Sequence, residues 1–185
     1  KTHDLSTLRS ITAGGSPFAS SGYEYIYAKV KADVHLASPA GGADPLGALV
    51  TGNPAGPVWP GECQVRALGM KVEVFDEAGK SLRGEPGELV CTMPFPSMPI
   101  GFWGDADGSL YRATYFETYP NVWRHGDLAV LTDHDGMILL GRSDATLNAR
   151  GVRIGTAEIY RLIEPIDEVV DSVAVTQSWK GDTRV

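Results

Sequence analysis

Two cysteines among 185 residues, Cys63 and Cys91, are too few to staple a fold, and both sit in apolar, strand-like runs. They read as small buried hydrophobes in a reducing compartment, which points to the cytosol. No apolar run approaches the roughly 18 residues that a membrane-spanning helix needs, so no membrane partner is expected. The opening KTHDLSTLRS lacks the apolar segment of a secretory leader. Positive charge is scarce: 16 Lys and Arg against 23 Asp and Glu leave a net charge of −7. That balance argues against a broad phosphate-binding surface, and so against a nucleic-acid partner. The four histidines show no paired metal-ligand spacing, and no Gly-x-Ser-x-Gly elbow is present, which leaves a zinc centre and a nucleophilic triad unsupported. What remains is a globular composition, 43% hydrophobic and 21% charged, long enough for one domain or pieces of two.

LRSITAGGSP reads as a short strand entering a glycine turn, and SSGYEYIYAKVK as a helix with Tyr23, Ile26, Tyr27 and Val30 on one face. Ser21 and Glu24 have capping-box spacing. DVHLAS reads as the next strand and PAGGADPLG as a small-residue turn, together an α/β unit whose ligand crevice is expected at the strand ends. From residue 52 the pattern becomes β-rich: ECQVRAL, KVEVFD and GELVCTM are strand-like, and EAGK is a turn. A proline-rich loop follows, with a short helix in SLYRATYFETY and a hairpin turning at Asp135-Gly136. Beyond it the pattern predicts a helix AEIYRLIEPI capped by Thr156, and a strand VVDSVAVTQSW. One helix and one strand cannot bury a core alone. The expected class is therefore α/β: a partial α/β sheet unit (1–51) plus a β-rich subdomain (52–143), then the first part of a small α+β C-terminal domain (144–185).

Four places can carry chemistry. The loop AGGSP at 13–17, with Gly15 and Ser16, offers backbone amides and Pro17 offers rigidity near a helix start, suited to a planar ring edge or a phosphate, or else simply a βα turn. Ala40, Gly41 and Gly42 leave room for a ligand, and Asp44 is either a magnesium-holding carboxylate or a turn residue. WRHGDL places Asp127 at a strand start, where a carboxylate can accept both hydroxyls of a ribose. GRSDATLNARGVRIGTAEIY, residues 141–160, spaces Arg142, Arg150 and Arg153 among Gly141, Gly151 and Gly155. If the chain folds back, Arg142 and Arg153 can converge on one anion; a solvated basic loop is the alternative. Each signal is weak alone, but all four suit parts of a nucleotide.

Taken in order, these segments resemble the adenylate-forming superfamily of acyl-CoA synthetases, luciferases and peptide-synthetase adenylation domains. WRHGD resembles its Tyr-Arg-Thr-Gly-Asp motif, GGAD its Gly-x-Thr-Glu motif and GELV its Gly-Glu-Leu segment, while residues 141–160 look like the motif joining its large and small domains. LASPAGGAD and CTMPFPSMPIGFW look most like a branch that activates acetoacetate. The resemblance implies an ATP-dependent, AMP-forming ligase: a carboxylate attacks the α-phosphate of ATP, and CoA then displaces AMP. By the same match, Asp127 would hold the ribose, Arg142 and Arg153 ribose and phosphate, and Gly15, Ser16 and Pro17 the adenine face. Asp44 would hold magnesium, Asp144 would be the hinge, and Gly151 would let CoA pass. Arg150 stays unassigned, solvated or near CoA phosphate. The sequence departs from the family at Ala43 (for Thr), Asp44 (for Glu), Ala40 (for an aromatic), His125 (for Thr) and Asn148 (for Lys). The family's phosphate loop and late catalytic lysine are expected outside residues 1–185. Small residues at 40–43 suit a four-carbon keto acid over acetate. The alternatives are a synthetase for acetate, propionate or butyrate, or a non-catalytic β-rich interaction module.

Overall fold

The computed structural model describes residues 3–144, 147–149, 152–154, 156–163, 165–166, 168–175, 177–179 and 182–184. Strands β1 (Ser10–Thr12) and β2 (His35–Ala37) pair in parallel across the helix α1 (Ser20–Tyr25), forming the expected α/β unit. Tyr23 is buried at 1% exposure, and its hydroxyl donates to the Glu62 carbonyl. Ile26, Tyr27 and Val30 follow on the same half-buried face. The capping box does not form, because the helix starts two residues earlier: Ala19 is the N-cap and caps with no side chain, leaving Ser21 inside the helix. The last turn, Ile26–Val30, widens to π geometry, where the Lys31 N–H reaches the Ile26 carbonyl.

Residues 39–47 are not a simple turn. β3 (Ala40–Gly42) pairs antiparallel with β4 (Gly47–Thr51), and only 43–46 turn between them. The reason is backbone proximity: a Cβ on Gly41 would lie 2.1 Å from the Gly47 carbonyl oxygen, so the two strands meet closer than any side chain allows. β5 (Val65–Arg66) adds to the other edge of β4, so this small sheet runs across residue 52.

The main sheet is an antiparallel meander in the order β6 (Val72–Phe75), β7 (Pro86–Cys91), β8 (Trp123–Leu131) and β9 (Met137–Arg142). Asp135, at φ 62°, makes the expected Asp-Gly turn, closed by Thr132 N–H donating to the Gly136 carbonyl. Cys63 and Met137 exchange two backbone hydrogen bonds of 2.8 Å, tying the two sheets together. Between them lies an aliphatic core including Leu49, Val50, Val72, Val74, Leu89 and Met137, all at 0% exposure. A second, aromatic core gathers Phe95, Tyr115 and Trp123 beneath α2 (Ser109–Tyr115). The Asp105 carboxylate accepts the Leu110 and Tyr111 N–H groups at the start of that helix, as favours a helix N-terminus.

Beyond residue 144, β10 (Leu147–Ala149) and β11 (Val152–Ile154) pair antiparallel, so part of the glycine-rich stretch is a hairpin and not an open loop. α3 (Thr156–Ile163) stops before Pro165, short of the expected Ile166, as proline demands. The expected strand over 169–179 is confined to β12 (Gln177–Trp179), which pairs with β13 (Asp182–Arg184). Before it, backbone donors go to side chains: Ser172 N–H to Asp171 and Ala174 N–H to the Tyr160 hydroxyl, which a strand ladder would have claimed. No described helix is long and apolar enough to cross a membrane.

Candidate functional site

Asp127 lies in the middle of β8, not at a strand start, because the segment WRHG before it already pairs with β7. Its register partner on β9 is Arg142. A bulge places Leu140 as the extra residue opposite Leu128 and Ala129. Gly126, at φ 86°, makes room for the arginine: a Cβ there would stand 2.7 Å from Arg142 Nη2. Arg142 Nη1 is 3.6 Å from Asp127 Oδ1 and donates to the His125 carbonyl. Nε and Nη2 grip Asp144 in a two-point contact of 3.0 and 2.7 Å. That contact holds the Asp144 carboxyl below the usual carboxylate range and raises Arg142 further.

These groups face a cavity of about 530 Å³. Gly15, Ser16 and Pro17 line one side of it, Ala40, Gly41 and Gly42 another, and Asp127 and Arg142 a third. Cys63 also lines it, but burial pushes that thiol up to about 12, so it is inert. Cys91 is likewise free, buried and raised, so both cysteines are the small hydrophobes expected. A second cavity of about 510 Å³ shares Gly42 and Arg142 with the first and adds Asp44, Tyr115, Trp123, His125 and Asp144. The glycines of β3 are thus fixed by packing as well as by the space they leave. Gly41 is pressed on β4, and a Cβ on Gly42 would come 3.2 Å from His125 Cε1.

His125 is 7% exposed. Trp123 Nε1–H donates to its Nδ1 at 3.4 Å, so the neutral ring carries its proton on Nε2, which lies 3.5 Å from Asp127 Oδ2. Nε2 is the one buried side-chain nitrogen or oxygen among the described residues without a hydrogen-bond partner. Burial lowers the His125 pKa against the pull of Asp127, and burial raises the Asp127 carboxyl against His125 and Arg142. Burial outweighs mutual attraction here, and the ring stays neutral.

Two functional supports went unrecognised in the sequence. The Glu88 carboxylate, 9% exposed, accepts the Gly126 N–H and the Ser143 hydroxyl at 3.0 Å each and pairs with Arg124 at 3.2 Å. It fixes the backbone on both sides of the Asp127–Arg142 pair; its signals were a lone acid inside an apolar strand and its place in the GELV segment, neither of which names this role. Tyr115 donates its hydroxyl to Asp44, and burial, with Asp44 second, raises that phenol well above its ordinary range. No cluster of three or more metal-ligating side chains exists among the described residues. Asp44 is a single exposed carboxylate with one oxygen taken by Tyr115. That donor set fits magnesium, a hard ion commonly held by one or two carboxylates together with substrate phosphates and water. Arg153 lies in β11 opposite Asn148, with its side chain outside the described residues. Arg150, Gly151 and Gly155 lie outside them too.

No family model matches the chain. It is 54% identical over 185 residues to the acetoacetyl-coenzyme A synthetase of Rhizobium meliloti, covering 100% of this chain and 28% of that protein. It is 48% identical to the acetoacetyl-CoA synthetase of Mus musculus, again over 100% of this chain and 28% of that one. Among solved structures, the acetoacetyl-CoA synthetase from Streptomyces lividans superposes with a TM-score of 0.85 at 39% identity, over 98% of this chain and 28% of its own. The chain is homologous to acetoacetyl-CoA synthetases along its whole length. It spans just over a quarter, 28%, of the length of those relatives. The anthranilate CoA ligase AuaEII, solved with anthranoyl-AMP, shares the mixed α/β fold at TM-score 0.72 and 20% identity, over 90% of this chain and 30% of its own.

Proposed function

We propose that this chain is part of an acid–CoA ligase that activates acetoacetate with ATP and transfers it to CoA. The observation that carries the reading is the single cavity bounded by Gly15–Pro17, Ala40–Gly42, Asp127 and Arg142. A ring edge fits the glycine turn and the two ribose hydroxyls fit the Asp127 carboxylate. The α-phosphate fits Arg142, a fixed cation placed where negative charge builds on phosphorus. The acyl group would lie against Ala40, Gly41 and Gly42. Asp44 would hold magnesium, which when bound neutralises phosphate charge. Arg153 would add a second cation, and Gly151 would line the CoA path.

In this reading residues 1–51 belong to the α/β portion of a large domain and 52–143 to its β-rich subdomain, knitted together by the pairing of β4 with β5. Residues 144–185 begin a mobile domain hinged at Asp144. The grip of Asp144 on Arg142 supports a hinge there, because rotation about residue 144 would release the cation toward the nucleotide. The protein would work in the cytosol, where both thiols stay reduced.

Acid-dependent ATP–pyrophosphate exchange by the full-length polypeptide carrying this chain tests the reading, with acetoacetate, acetate, propionate and butyrate compared. Exchange strongest with acetoacetate is expected. Exchange strongest with another acid would keep the chemistry and discard the acyl assignment, and no exchange with any acid would overturn the reading.

A further inference from the structure

We propose that Tyr115 is a positioning residue for Asp44, holding that carboxylate so that its free oxygen can meet a cation in the second cavity, whose wall at Gly42 and Arg142 the first cavity shares. This rests on the proposed ligase reading. Asp44 sits in the four-residue turn 43–46, exposed, and its one described hydrogen bond comes from the Tyr115 hydroxyl, 71 residues away in the chain. An exposed aspartate in a turn otherwise keeps its rotamer freedom, whereas magnesium demands near-ideal octahedral geometry and tolerates little misplacement. One hydrogen bond from a rigid donor removes that freedom and leaves the second oxygen available.

Tyr115 is such a donor. It is 8% exposed and closes α2, and its ring lies flat on Trp123 at 3.6 Å and 13°. Tyr111, one turn earlier, braces it edge-on and donates its own hydroxyl to the Pro99 carbonyl at 2.6 Å. The same Trp123 hydrogen-bonds His125 beside Asp127. A continuous path of stacked and hydrogen-bonded rings therefore joins Asp44 at one cavity to Asp127 at the other. Both cavities are lined by Arg142. In this reading Tyr115 acts through Asp44.

The test uses the full-length polypeptide with Tyr115→Phe, which keeps the ring stack and removes only the hydroxyl, beside Asp44→Asn and the double variant. Thermal stabilisation is followed as magnesium is titrated in the presence of a non-hydrolysable ATP analogue, so the readout needs no turnover. Partners one step removed from a metal typically alter its affinity by roughly 10–100-fold. A magnesium midpoint raised about tenfold in Tyr115→Phe is expected. Stabilisation by AMP in EDTA should stay unchanged in that variant. The double variant should be no worse than Asp44→Asn alone, the signature of one residue acting through the other. An unchanged midpoint in Tyr115→Phe with a raised one in Asp44→Asn overturns the proposal alone. An unchanged midpoint in Asp44→Asn overturns it together with the assignment of Asp44. Additive losses, or a parallel loss of AMP stabilisation in EDTA, show a general structural role and also overturn it.

Discussion

The two cores of this protein are built from different chemistry. The aliphatic one, from Leu49 to Leu139, lies between sheets and has scarcely a side-chain polar atom to offer. The aromatic one, around Trp123 and Tyr115, is as well buried but hands two donors outward, an indole N–H to His125 and a phenol O–H to Asp44. Aromatic side chains can do this because one edge is polar while the faces are not. The first core holds the sheet together, and the second also aims the groups that line the cavities.

Truncation should separate the two most sharply. Trp123→Ala and Leu49→Ala should cost about 3–5 and about 2–5 kcal/mol of stability in urea unfolding. Trp123→Ala should also weaken AMP binding, while folded Leu49→Ala should bind AMP as wild type does. Equal AMP affinity in the two variants would erase the distinction.

A cut at the rim of the aromatic side comes next. Arg142→Ala removes the cation beside Asp127 and should weaken AMP roughly 10–100-fold by calorimetry, the effect of one lost charge-assisted hydrogen bond of about 1.5–3 kcal/mol. Gly126→Ala should be milder. The left-handed backbone costs a non-glycine residue about 1–2 kcal/mol, and the new methyl pushes the guanidinium away. Thermal midpoint and AMP affinity should fall together, and a normal AMP affinity would show that Arg142 tolerates displacement.

The smallest effect expected is on pH dependence. His125 is neutral when folded and titrates near 6.5 when unfolded, so the unfolded state binds its proton first as pH falls. Stability should therefore decline as pH falls through about 6.5, and His125→Gln should flatten that decline. Asp127, raised by burial, acts with the opposite sign. An unchanged slope in His125→Gln would mean that the ring titrates alike in the folded and unfolded states.

What the sequence made legible was local or motif-borne. The helix face of Tyr23 and Ile26, the Asp135-Gly136 turn and α2 follow from periodicity and turn chemistry within a dozen residues. The residues at 15–17, 40–42, 127 and 142 share a cavity although their segments are distant in the chain, and the order of motifs named all of them. What escaped depends on contacts that no local window contains. Ala-Gly-Gly looks like a turn because its strand character comes from close approach to Gly47, not from β-branched side chains. Tyr115 and Glu88 meet their partners 71 and 38 residues away. The strand expected over 169–175 fails for a similar reason, since Asp171 and the Tyr160 hydroxyl take its backbone donors.

The crowding at Gly41 limits how this fold can diversify. A methyl group there would collide with the Gly47 carbonyl oxygen at 2.1 Å, a backbone atom that cannot step aside. Selection for a narrower or wider cavity has no access to that position. A lineage changing its substrate must work through neighbours with room for a side chain, such as Ala40 or Ser38 in the same lining, while position 41 stays glycine.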